Sequence, residues 1–262
     1  MRRILPLLML AGCSQPLVSR GGGIVSMNPC ADAMLVRMVP PARVAAISRY
    51  SQEAEATSIP LAVANRFRAT AGTAEEVIAL QPDLVLASSF TQASTRAAFE
   101  RAGLRTVYLE SPTTVAASKA QVTQVAEAVG APGRGAAINA AIDRATSVPP
   151  QPGRPAAVLY IAGDLANGAG TLLDELMMRA GFVNAAARYG LAYTGTLPAE
   201  LLVARPPDVV IAPTGGSRGA ALRRTMLRGT PFAAFDRTLV NCGGPTIVPA
   251  MARLRAIRAG LS

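Results

Sequence analysis

The sequence contains no histidine. That absence removes every catalytic triad with an imidazole base and every zinc or heme centre ligated through imidazole. Tryptophan is also absent, and aromatic residues make up only 4% of the chain, so the core has to be aliphatic. Lysine occurs once, as Lys119, and cysteine three times, as Cys13, Cys30 and Cys242. Charged residues are 16% against 50% hydrophobic, which rules out a disordered chain. A length of 262 residues suits one large domain or two modest lobes, each able to bury a core.

Complete catalytic motifs are missing as well. GxSxG occurs once, as Gly215 to Gly219, but without a histidine it cannot complete a triad; there is no GxGxxG after a strand, no CxxC and no HExxH, and the phosphate-loop pattern GxxxxGK[ST] does not occur. A cysteine nucleophile would have no histidine to activate it. A non-catalytic protein is therefore expected, with no resident cofactor and no metal site.

Basic residues number 26 and acidic residues 16, a formal charge of +10. The arginines are dispersed and no run of them is interleaved with aromatics, so nucleic acid is not the expected partner. The charge reads either as solvated helix surface or as attraction to an anionic ligand or membrane.

Met1-Arg2-Arg3 followed by the apolar run Ile4 to Leu10 reads as a secretory leader, too short to cross a bilayer as a helix. Leu10-Ala11-Gly12-Cys13 resembles the bacterial lipobox, which predicts a signal peptide over 1–12 and a lipid on Cys13. The other reading is an ordinary signal with a chance cysteine. Residues 13–23, closing on Gly21-Gly22-Gly23, then form a tether. The expected location is the periplasm, as a membrane-anchored lipoprotein. Cys30 and Cys242 remain. In an oxidising compartment a disulfide is the default for such a pair, with two buried thiols or two soft metal ligands as alternatives.

From Ile24 onward, short aliphatic runs alternate with amphipathic helices, the pattern of α/β layers. Strands are expected at 24–26, 44–47, 84–87, 106–109, 157–161, 209–211 and 238–240. Thr73 and Glu76 form a capping box for a helix at 74–80. The stretch from Thr113 to Val148 holds no good strand; it is Ala-rich and helical, broken at Gly130-Ala131-Pro132-Gly133.

One segment recurs. Glu75 to Leu86 (EEVIALQPDLVL) is echoed by Glu200 to Ile211 (ELLVARPPDVVI). Each is an acid-started helix, a Pro-Asp turn and an aliphatic strand, with the same spacing from Glu75 to Asp83 as from Glu200 to Asp208. The simplest explanation is two similar lobes with a cleft between them: residues 24–112, a helical connection over 113–150, and residues 151–262.

This repeated signature resembles the iron-siderophore and cobalamin class of periplasmic substrate-binding proteins that serve ABC importers. Gly72-Thr73-Ala74-Glu75-Glu76-Val77 is similar to that family's first-lobe hallmark. Thr171-Leu172-Leu173-Asp174-Glu175-Leu176, with Ala180-Gly181 and Asn184, is similar to its second-lobe helix. The resemblance implies two α/β lobes joined by one long helix, and a monomer that hands a metal chelate, a corrinoid or a ferric siderophore, to a permease dimer. It further implies that Glu75 and Glu200 meet permease arginines; without it, each is a helix-dipole charge.

A ligand is expected at loops leaving strand ends. The candidates are Asn28, Pro29, Cys30, Arg49 and Tyr50 from the first lobe, and Asp164, Asn167, Gly168, Cys242 and Gly243 from the second, with Gly244 beside them. Tyr50 reads as a surface for a macrocycle or as a packing aromatic. Arg49 reads as an anion contact or as a solvated side chain. The scarcity of aromatics departs from the usual cobalamin or heme pocket. An envelope scaffold on the same fold, without a transport ligand, is the alternative function.

Overall fold

The computed structural model describes residues 22–214 and 218–261. The leader, most of the tether and Cys13 lie outside them. The first lobe begins with β1 (Ile24–Ser26), α1 (Pro29–Met38) and β2 (Val44–Ser48). It continues through α2 (Leu61–Ala64), β3 (Ala69–Thr70), α3 (Ala74–Ala79), β4 (Leu84–Ser88), α4 (Ala93–Arg101) and β5 (Thr106–Leu109). Its sheet runs β3-β2-β1-β4-β5, and every pairing is parallel.

Two helices follow, α5 (Val115–Ala128) and α6 (Pro132–Thr146). The break falls where Gly130 takes a φ of 69° and Pro132 opens the next helix. The connection is therefore a hairpin of two packed helices. Lys119 pairs with Asp143 at 2.5 Å, and Asn139 Nδ2 donates to Thr123 Oγ1 at 3.0 Å. The helices pack so closely at Gly135 that a Cβ there would stand 2.4 Å from the Ala126 methyl.

The second lobe holds β6 (Ala156–Ala162), β7 (Leu165–Ala166), α7 (Leu172–Arg179), β8 (Val183–Asn184) and β9 (Gly195–Thr196). Then come α8 (Ala199–Val203), β10 (Val209–Ala212), α9 (Arg218–Met226), β11 (Phe232–Ala234) and α10 (Ile247–Ala259). Its sheet follows β11-β10-β6-β7-β9, with β8 parallel to β6. The expected strand at 238–240 is instead a 3₁₀ turn, Arg237–Leu239. Asp236 causes it, its carboxylate accepting from Thr238 N at 2.8 Å and Thr238 Oγ1 at 2.6 Å. The edge strand is β11, paired with Val210–Ala212.

The echoed Pro-Asp turns have a shared mechanical role. Asp83 Oδ2 accepts from Gly23 N at 2.7 Å, and Asp83 N donates to Gly23 O at 2.9 Å. Asp208 Oδ2 accepts from Ala156 N at 2.6 Å, and Asp208 N donates to Ala156 O at 2.8 Å. Each aspartate thus clamps the entry of its lobe's first strand.

The largest apolar cluster reaches from Leu86 and Leu109 in one sheet, through Val122 and Met251 in the helical layer, to Leu159 and Ile211 in the other. Burying one such Leu stabilises by about 1.5–3 kcal/mol. Because α1, α5, α6, α7 and α10 share this core, the lobes do not rest on separate interiors.

Candidate functional site

Parallel strands point their carboxyl ends into the groove between the lobes. In the first sheet β1 has β2 on one side and β4 on the other, so the chain reverses direction there, and the exits of β1 and β4 frame a crevice. The cleft at this point has a volume of about 380 Å³. One wall carries Asn28, Pro29 and Cys30 at the start of α1, Tyr50 after β2 and Ser88 at the end of β4. The other carries Asn167, Thr171, Thr194 and the segment Asn241 to Gly243.

Local chemistry fixes these groups. Asn28 caps α1, its Oδ1 accepting from Cys30 N at 2.9 Å. Thr171 caps α7 through Asp174 N at 3.1 Å and donates to Asn167 Oδ1 at 2.7 Å. Asn184 Nδ2 donates to Asp174 Oδ1 at 3.0 Å and to Asn167 O at 3.2 Å. Asn167 is 1% exposed, yet its Nδ2 has no hydrogen-bond partner within the chain. A buried donor without a partner costs about 1–3 kcal/mol, and here it belongs to a residue that lines a cleft.

Cys30 and Cys242 are joined in a disulfide with Cα atoms 5.2 Å apart. Two further ties cross between the lobes nearby: Glu55 forms an ion pair with Arg237, and Asn241 Nδ2 donates to Ala56 O at 3.3 Å. Gly243 lies where a Cβ would meet Ser118 Oγ at 2.4 Å, which holds this loop against α5.

Four expected ligand residues stand elsewhere; one, Gly244, is buried against Met34 and Val122. Arg49 is exposed at the rim; its guanidinium lies over the Tyr50 ring at 5.0 Å and donates to the Tyr50 hydroxyl at 3.3 Å. That bond raises the Arg49 pKa further above its ordinary value. Asp164 pairs with Arg223 at 2.6 Å beside a second cavity of about 370 Å³. There Arg223 stacks over Tyr160 at 3.5 Å, and burial, with Asp164 adding and Arg223 opposing, pushes the Tyr160 phenol up to about 12. Gly168 is buried where a Cβ would sit 1.9 Å from Tyr193 O, so it serves close backbone packing.

The cleft also uses Thr171, marked in the sequence only as the start of the second-lobe helix, and Ser88, Glu110, Gln121 and Thr194, which did not stand out. Only their position at the end of a strand or on the facing helix could have marked them. Glu75 and Glu200 are both exposed, in the first turns of α3 and α8, and neither forms an ion pair among the described residues.

The family model described as periplasmic binding protein matches residues 24–228, and the chain belongs to that family. Membership carries a non-catalytic, solute-binding role and a periplasmic location. None of the curated proteins matches it in sequence. Among solved structures it is similar to the periplasmic heme-binding protein RhuT from Roseiflexus sp. RS-1, with a TM-score of 0.73, 20% identity, and coverage of 92% of this chain and 98% of that one. It is similar to the heme-binding protein HutB of Vibrio cholerae, with a TM-score of 0.72, 16% identity, and 90% and 98% coverage. It is also similar to the vitamin B12-binding protein BtuF of Vibrio cholerae, with a TM-score of 0.68, 14% identity, and 91% and 96% coverage. These likenesses establish the two-lobed fold.

Proposed function

We propose that the chain is the substrate-binding component of an ABC importer and that it captures a flat macrocyclic metal chelate, a corrinoid or a heme, in the interlobe cleft. The unpartnered Asn167 amide is the observation that carries this reading: a ligand acceptor would complete its hydrogen bonding. Cleft charge supports the ligand class. Its lining includes one acid, Glu110, and no arginine, which suits a chelate of low net charge. The heme-binding and B12-binding neighbours support the same class. The absence of histidine does not exclude heme, because Tyr50 offers a phenol oxygen to a metal and Arg49 would balance the charge of a metal-bound phenolate.

Docking to a permease dimer uses Glu75 and Glu200 on the outside of the lobes, and a lipid on Cys13 holds the monomer at the membrane. Titration of the purified protein with hemin and with cyanocobalamin tests the binding step. One of the two should form a one-to-one complex, and Asn167→Leu should weaken it about tenfold. No complex with either chelate would end the ligand assignment. Labelling cells with a lipid precursor tests the anchor, and Cys13→Ala should abolish the tag.

A further inference from the structure

In a chain with so few aromatics, Phe90 is the most exposed large hydrophobic side chain among the described residues, at 78%. It is not on a loose loop. The turn after β4 is fastened from several directions: Phe90 N donates to Ser88 Oγ at 3.1 Å, and Thr91 N donates to Ser88 O at 2.9 Å. Arg96 donates through Nε to Thr91 O at 2.9 Å and through Nη2 to Ser89 O, and its guanidinium stacks over Tyr108 at 4.1 Å. These bonds hold the ring out in water although nothing among the described residues covers it.

Phe90 lines an external groove of about 650 Å³ together with Glu75. The groove's floor is the Ala71 to Ala74 entry of α3, and its inner edge is Met27, which also lines the ligand cleft. An unpaired carboxylate and a pre-ordered aromatic therefore share one concave surface beside the cleft mouth. The second lobe also sets exposed apolar side chains beside its acid, though on helices and at other positions. Glu200 is followed on α8 by Leu201 and Val203, which are 52% and 50% exposed, and Leu222 on the adjoining α9 is 54% exposed.

We infer that Phe90 on the first lobe and the Leu201, Val203 and Leu222 patch on the second are apolar anchors that, beside Glu75 and Glu200, seat the protein on the two-fold symmetric periplasmic face of its permease. The inference rests on the transport reading and adds to it where binding energy comes from. Paired lobes that carry an acid at echoed positions, each with exposed apolar side chains beside it, fit a partner whose two halves present the same surface twice. A rigidly displayed ring loses little freedom on docking, and buried aromatics dominate interface energetics, whereas a rim carboxylate mainly sets encounter rate and register.

The test measures association of the full mature protein with its host's permease dimer in nanodiscs. Phe90→Ser should weaken the complex at least tenfold, chiefly through faster dissociation, while Phe90→Tyr retains it. Leu201→Ser combined with Leu222→Ser should cause a comparable loss. Hemin and cyanocobalamin titrations of each variant should match wild type. A wild-type complex that Phe90→Ser leaves within twofold overturns the inference but not the transport reading. Loss of chelate binding in Phe90→Ser would make the ring a lip of the ligand site and also overturn it. So would a wild-type dimer in sedimentation that Phe90→Ser dissolves, since a second copy would then occupy the groove. If the wild type binds no permease, the transport reading fails and takes the inference with it.

Discussion

Asp32 is fully buried in the first turn of α1, two residues beyond the cysteine that bridges the lobes. Its Oδ2 accepts from Ser51 Oγ at 2.6 Å and from Ser48 N at 3.0 Å, while Oδ1 has no partner. Burial raises its pKa from 3.8 to about 7, against the opposing pull of hydrogen bonds from Ser26, Ser51 and Ser48. The unfolded carboxylate releases its proton near 3.8 and the folded one near 7, so within that window the native state holds a proton the unfolded state has lost. Asp32 therefore contributes most stability at the acid end, and its contribution falls as pH rises toward 7, then stays level. The full swing is on the order of 4 kcal/mol. Urea midpoints from pH 4 to pH 8 should decline more steeply for wild type than for Asp32→Asn. Parallel curves would remove the titration from Asp32.

The Pro-Asp clamps make a prediction at the level of the element. Asp208→Ala strips a charge-assisted bond from the part-buried amide of Ala156 and should cost about 2 kcal/mol, read as a lower urea midpoint with an unchanged slope. Asp83→Ala acts on the more exposed Gly23 amide and should cost less. Most elements were legible because their signals are local. A capping threonine, a glycine at a helix end and a proline after it announce themselves within a few residues, as at Thr73, Gly103 and Pro132. The segment Thr238 to Val240 misled because a β-branched run resembles a strand, whereas the carboxylate two residues earlier bends it first. Strands as short as Ala69–Thr70 and Gly195–Thr196 exist only through their neighbours' hydrogen bonds, so nothing in their own sequence marks them.

Across the whole molecule, what the sequence left dark was direction. Asn28, Cys30 and Asn167 could be assigned to strand-exit loops, and these converge with Cys242, which follows a 3₁₀ turn and not the expected strand. Which way Asp164 and Gly168 turn depends on Arg223 and on the Tyr193 backbone, both distant in sequence. The convergence is secured by the Cys30–Cys242 bridge, with Glu55–Arg237 and Asn241–Ala56 beside it. Replacing both cysteines by serine should lower stability by about 2–5 kcal/mol, measured by thermal unfolding without reductant. A replacement that leaves the transition unmoved would show that the helical core alone holds the lobes together. The bridge also links positions 212 apart, so nearly all of the folded chain lies inside one covalent ring. A protease that nicks the exposed proline-rich turn near 149–154 would open the ring without separating its halves. On a gel, such a molecule would migrate as a single species until a reducing agent released two fragments, and in the envelope it would survive the cut with its two halves still attached.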